Sequence, residues 1–193
     1  MIVTMNLDSI PEAASRQDQL YQEAAASYGT ALGRLARGYE ADPDRRRDLL
    51  QEIHLALWQS LAGFDARCSL RTWLYRVAHN VATSHVIREH RLNSRTMVGI
   101  EALETLPAKN DERDRDSSRE SNIDRRHALA KLLLLIHQLK PLDRQIMLSY
   151  LEDMDAASIA EITGISPGNV ATKIHRIKNV LTTKFHQGED HGK

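Results

Sequence analysis

Apolar residues return every three or four positions along most of this chain, and no stretch shows the strict alternation of a strand. That spacing lines them along one face of a helix and predicts an all-α protein. Tyr28, Leu32 and Leu35 make one stripe. Asp42-Pro43 breaks it, with Asp44 available to cap the next helix. Leu50, Ile53, Leu57 and Leu61 make the next stripe, which Gly63 ends. A short loop from Phe64 to Ser69 leads into a third helix, capped by Ser69 and carrying Leu70, Leu74, Val77 and Val81 on one side. Helical period therefore covers residues 19–92, behind a leader of about 18 residues that is expected to fray.

From Asn93 to about Asn122 the period lapses. Pro107 interrupts, and Asn110 to Ser121 is almost wholly charged or polar. Such a segment cannot bury enough apolar area to offset its ordering entropy, which predicts a linker. Period resumes at Ile123 and runs through Leu139. Lys140-Pro141-Leu142-Asp143 reads as a turn and cap, and three more helices reach about Phe185. The expected architecture is two small helical domains, 19–92 and 123–187, joined by a charged linker at 93–122.

The stretch from Ala157 to Lys178 is the most specific piece of that pattern. It reads as a helix, a tight turn through Gly164, and a second helix opened by Ser166-Pro167, a good cap followed by a residue preorganised for the first helical position. This is the signature of a helix-turn-helix, whose second helix can enter the major groove of DNA. Val170, Ile174, Ile177 and Leu181 should face inward, and Asn169, Thr172, Lys173 and Arg176 outward. The outward types hydrogen-bond base edges and phosphates. An ordinary helical hairpin with a solvated basic face would carry the same pattern.

Charge sharpens this picture. The formal net charge is zero, yet its distribution is polar. Asp143 to Ile165 holds Asp143, Glu152, Asp153, Asp155 and Glu161 against Arg144. Ser166 to Gln187 holds Lys173, Arg176, Lys178 and Lys184 with no acid. The basic side is the one a phosphate backbone would meet.

A second signal lies in the first domain. Ser69 to Asn80 puts Arg71, Trp73, Tyr75, Arg76 and Asn80 on one short helix, and six arginines between Arg67 and Arg95 face one acid, Glu89. Cations interleaved with rings suit single-stranded nucleic acid. The plainer alternative is that Trp73 and Tyr75 complete a core.

Other chemistry finds little support. His79, His85 and His90 lack the i, i+4 spacing of a zinc site. Cys68 is the sole cysteine, which excludes an internal disulfide, and it has no nameable histidine partner. Asp153 and Asp155 read as a solvated corner. There is no glycine-rich phosphate loop, so neither an enzyme nor a cofactor is expected. No apolar run approaches the ~20 residues of a membrane span, and the N-terminus lacks the layout of a secretory signal. The expected setting is the cytoplasm.

In order, Asp48-Leu-Leu-Gln-Glu52, then Leu70-Arg-Thr-Trp-Leu-Tyr-Arg-Val-Ala-His-Asn80, a charged linker and Gly164-Ile-Ser-Pro-Gly-Asn-Val170 resemble bacterial RNA polymerase sigma factors of the extracytoplasmic-function group. The resemblance covers about residues 20–92 and 123–185, like sigma regions 2 and 4. It implies a promoter-recognition factor whose partners are core RNA polymerase and promoter DNA, both duplex and melted single strand. An anti-sigma factor or other regulator is a further candidate partner. It also implies roles by position. Asp48, Gln51, Glu52, Ile53 and Trp58 would dock on the polymerase. Phe64, Arg67, Ser69, Arg71, Arg76, His79 and Asn80 would meet the −10 element, with the Phe64–Ser69 loop and Asn80 capturing a flipped base. Asn169, Thr172, Lys173, Arg176 and Lys178 would meet the −35 element.

The chain departs from the family pattern in two places. Arg45-Arg46-Arg47 stands where acids usually precede the Leu-Leu-Gln-Glu run, and opposed like charges weaken encounter. Ala66 and Cys68 stand where glycine and small acidic or hydroxyl residues are common. A free-standing helix-turn-helix regulator and a sigma-like module that sequesters an anti-sigma factor are the rival readings. Duplex binding without polymerase would mark the first.

Overall fold

A computed structural model describes residues 10–96 and 117–187. Among them are seven helices and no strand: α1 Ile10–Tyr39, α2 Pro43–Leu61, α3 Leu70–Thr96, α4 Ser117–His137, α5 Pro141–Leu151, α6 Ala156–Thr163 and α7 Pro167–Gln187. The all-α expectation holds. Helix reaches further than periodicity suggested. α1 already includes residues 10–18, expected to fray, because Gln17 Nε2 donates to the Trp58 carbonyl at 2.6 Å and Asp18 accepts from Trp58 Nε1 at 2.8 Å. α3 and α4 occupy both ends of the expected linker; its middle, 97–116, lies outside the described residues.

Local chemistry sets the boundaries. Asp42, rather than Asp44, caps α2: its carboxylate accepts from the backbone N–H of Asp44 and Arg45, with Pro43 opening the helix. Ser69 Oγ caps α3, accepting from Thr72 N at 3.0 Å. Asp155 caps α6, accepting from Ser158 N at 2.7 Å. Gly164 closes α6 in the left-handed region, at φ 76°.

The buried faces follow the stripes with small shifts. α2 buries Leu49, Ile53, Leu57 and Leu61, with Leu50 only partly covered. α3 buries Leu74, Tyr75, Ala78 and Ala82, leaving Val77 and Val81 at the margin. The wider result is that the two halves share one continuous apolar cluster. α1 packs on α4 and α5, and α3 packs on α5 and α6.

Candidate nucleic-acid interface

The outer face of α7 is set by its inner one. Val170, Ile177 and Leu181 are buried and Ile174 is half-buried, which leaves Asn169, Thr172 and Arg176 exposed together at helical spacing. Ser166 Oγ accepts from Asn169 N at 3.4 Å at the head of the helix. Thr172 back-bonds to the Gly168 carbonyl at 3.0 Å. Lys173 shares this face but is not free: its Nζ meets Asp143 Oδ1 of α5 at 2.7 Å. Lys178 sits apart, its Nζ over the Tyr150 ring at 5.4 Å. The structure thus brings Asn169, Thr172, Lys173 and Arg176 together and puts Lys178 on the flank.

The loop from Phe64 to Ser69 folds against α3. Phe64 meets the Trp73 ring edge-on, with centroids 5.5 Å apart. Trp73 Nε1 donates to Ser60 Oγ at 3.1 Å, which fixes the indole. The Arg76 guanidinium lies 5.7 Å above that ring and 3.3 Å from Cys68 Sγ. Its Nε is buried without a hydrogen-bond partner. Arg67 is exposed and pairs with Asp65 at 2.9 Å, and Ala66 adopts φ 60°, a left-handed value that strains any residue with a Cβ. Asn80 is exposed one turn beyond Arg76 and two beyond Trp73, on the same face of α3. Phe64, Ser69, Trp73, Arg76 and Asn80 therefore line one side.

Arg71 and His79 point elsewhere. Each is taken up in the contact with the C-terminal half, so neither joins the Asn80 face. Arg71 donates to the Glu152 carbonyl. His79 is fully buried, with Nδ1 2.9 Å from Tyr39 Oη and Nε2 2.9 Å from Ser149 Oγ. Burial pushes its pKa down to about 3, so the ring is neutral. Tyr75, one candidate ring for stacking, is core at 1 % exposure.

On α2, Asp48 and Gln51 are exposed and Glu52 is half-exposed, held by Arg88 at 2.8 Å. Ile53 is at 0 % exposure and supports this face from inside instead of presenting to a partner. Trp58 is 40 % exposed, and Leu55, which periodicity did not single out, is 57 % exposed beside it. Such an apolar pair on a polar helix face is what a docking surface needs. The three arginines before it are engaged: Arg45 with Glu89 at 3.0 Å, Arg47 with Asp44 at 3.2 Å and Arg46 with the Ala41 carbonyl at 3.3 Å. Local acids thus offset part of their charge.

Sequence reasoning missed the cluster around Glu152. Arg34 Nε and Nη2 each donate to one Glu152 carboxylate oxygen at 2.6 Å, and Tyr75 Oη adds a bond at 3.3 Å. Arg34 and Glu152 stand 118 residues apart, beyond the reach of any periodicity. The one available signal is the acid-rich run from Asp143 to Glu161, which marks a charged surface without naming its partner.

A helical protein with a helix-turn-helix at one end and an aromatic, arginine-lined loop at the other belongs among DNA-binding transcription factors. Likeness to known proteins defines which. Residues 24–92 match the family model Sigma-70 region 2, and residues 129–181 match Sigma-70, region 4. The sigma factor CnrH of Cupriavidus metallidurans is 26 % identical over 175 residues, covering 89 % of both chains. NccH of Alcaligenes xylosoxydans is 24 % identical over 177 residues, covering 91 % of this chain and 92 % of its own. The ECF sigma-E factor of Haemophilus influenzae is 27 % identical over 140 residues, 72 % of this chain and 73 % of its own. Among solved structures, CnrH in complex with the cytosolic domain of CnrY superposes with a TM-score of 0.61 at 21 % identity, covering 92 % of this chain and 94 % of that one. RpoE of Bartonella quintana, solved with the anti-sigma factor NepR, superposes with a TM-score of 0.62 at 19 % identity, covering 86 % and 96 %. The chain belongs to the sigma-70 family, in its extracytoplasmic-function group, and is an alternative sigma factor that directs promoter recognition and transcription initiation.

Proposed function

We propose that the family's activity is divided here among three surfaces. Asn169, Thr172, Lys173 and Arg176 of α7 read the −35 element, with Lys178 contacting a flanking phosphate. The Phe64–Ser69 loop, Arg76 and Asn80 capture an unpaired base of the −10 element, Arg67 contacting its backbone. Asp48, Gln51, Glu52, Leu55 and Trp58 dock on core polymerase, and residues 19–92 and 123–187 act as separate modules once there. The carrying observation is that α7 exposes an acid-free polar face while the Trp73–Asn80 side of α3 exposes a second one on the other module. Such a factor needs no catalytic group or cofactor, and it works in the cytoplasm beside its polymerase. No helix among the described residues is long and apolar enough to cross a membrane. RpoE was solved with an anti-sigma factor, and a regulator of that kind is proposed here too. Exposed Leu129, Leu134 and Val180 offer it apolar contact.

Run-off transcription with core polymerase over a promoter library tests this. Asn80→Ala is expected to relax preference at a single −10 position. Arg176→Ala is expected to weaken use of the upstream element about tenfold, as loss of one good base contact does. Unchanged promoter preference in both variants would remove the assigned roles.

A further inference from the structure

Glu152 is held as a ligand is held. Its carboxylate takes the two-pronged fork of Arg34 at 2.6 Å on both prongs and the Tyr75 hydroxyl at 3.3 Å, while its carbonyl takes Arg71. The cradle residues come from α1 and α3, and the occupant comes from the turn between α5 and α6. Carboxylate and phosphate match the guanidinium fork in the same way. We propose that Arg34, Arg71 and Tyr75 form a phosphodiester-binding cradle for promoter DNA, and that Glu152 occupies it as a stand-in while the two halves are closed.

Several observations support this assignment, which rests on the reading of the chain as a promoter-binding factor. Arg34 is 57 % exposed although Glu152 is only 12 % exposed, so the cradle stays open to solvent on one side. The Arg71 guanidinium lies 5.9 Å from the Tyr75 ring, which keeps it in place when Glu152 leaves. A tyrosine hydroxyl keeps its proton at neutral pH with or without a neighbouring carboxylate, so Tyr75 remains a donor when Glu152 leaves. With α7 and the Asn80 face of α3 engaging separate promoter elements, as proposed above, the halves move apart, and the cradle empties next to the helix that carries Asn80.

The test is anisotropy binding of a fluorescein-labelled single-stranded oligodeoxynucleotide to the full chain, with small-angle scattering to report opening. Glu152→Gln is expected to enlarge the radius of gyration and to tighten oligonucleotide binding about tenfold, as a larger competent fraction does. Arg34→Ala should open the chain equally without tightening binding. Added to Glu152→Gln, it should weaken binding again and flatten the slope of log K against log salt by ~0.7, the share of one single-strand phosphate. Arg34→Lys keeps the charge and loses the fork, and should fall between. Circular dichroism confirms that each variant folds. Equal tightening in Arg34→Ala and Glu152→Gln would make the pair a mere strap and overturn the proposal, as would unchanged affinity in Glu152→Gln. Inorganic phosphate is the control arm; if it opens the chain as fully as the oligonucleotide, DNA is the wrong ligand. Run-off transcription separates the two levels. Transcript from the unsubstituted chain with unaltered Glu152→Gln binding discards the cradle alone, whereas no transcript from any promoter discards the sigma-factor roles beneath it.

Discussion

His79 shows how one side chain can join the two halves of the chain. The imidazole bridges Tyr39 of α1 and Ser149 of α5, with Tyr75 tilted beside it and Arg144 lying 5.5 Å from the Tyr39 ring. No acid is among these contacts, so nothing there favours the charged ring, and burial keeps its pKa near 3. Proton counting gives the sign of the pH dependence. Below about pH 6.5 the unfolded chain binds a proton at this site and the folded chain does not, so stability falls as pH falls. Between pH 7 and pH 5 the loss from His79 should be about 2 kcal/mol. His54, whose pKa burial also lowers, adds in the same direction. Urea melts of the unsubstituted chain and His79→Gln at both pH values isolate the His79 share. The parent should lose about 2 kcal/mol more than the variant, and equal losses would refute a neutral, buried ring. The histidine spacing in the sequence lacks the i, i+4 pattern of a zinc site and did not reveal this role either, since burial at a joint leaves no trace in spacing.

Among the elements, the helix-turn-helix was the most legible part of the chain. Its turn needs a residue at φ 76°, and Gly164 supplies it. A Cβ there would meet nothing within 4 Å, so the cost of Gly164→Ala is backbone strain alone, about 1–2 kcal/mol. Thermal melts should show that loss, and a neutral substitution would mean the turn can relax. Pro167, Val170 and Ile177 were equally readable, because capping and amphipathic period are local properties. Lys173 was readable only in part. Its place on the outer face came from period, but its pairing with Asp143 depends on how α5 crosses α7. The same holds for α3. Period found the helix, yet which of its polar residues stayed at the surface and which entered the contact with the C-terminal half turned on packing. Arg76 and Asn80 took one side, and Arg71 and His79 the other.

At the scale of the whole molecule, the joint between the two halves is where packing adds most to what each element shows alone. Gly38 of α1 lies against Leu148 of α5, where an added side chain would overlap it. Gly38→Leu should wedge the halves apart without weakening α1, since leucine is the better helix former. Small-angle scattering should then show a larger radius of gyration; an unchanged one would mean that Leu148 repacks and the joint is plastic. The seven-helix inventory of the described residues, the acid-free face of α7, the caps at Ser69 and Ser166 and the family were all legible in the bare sequence, because each is written in local spacing or contiguous motif. Tertiary packing alone settled that the two halves share a core, that His79 is buried between them, and that Glu152 of the α5–α6 turn meets Arg34 and Arg71 across the joint. Such contacts join residues tens to more than a hundred positions apart. They arise from surface complementarity between finished helices, which no local period encodes.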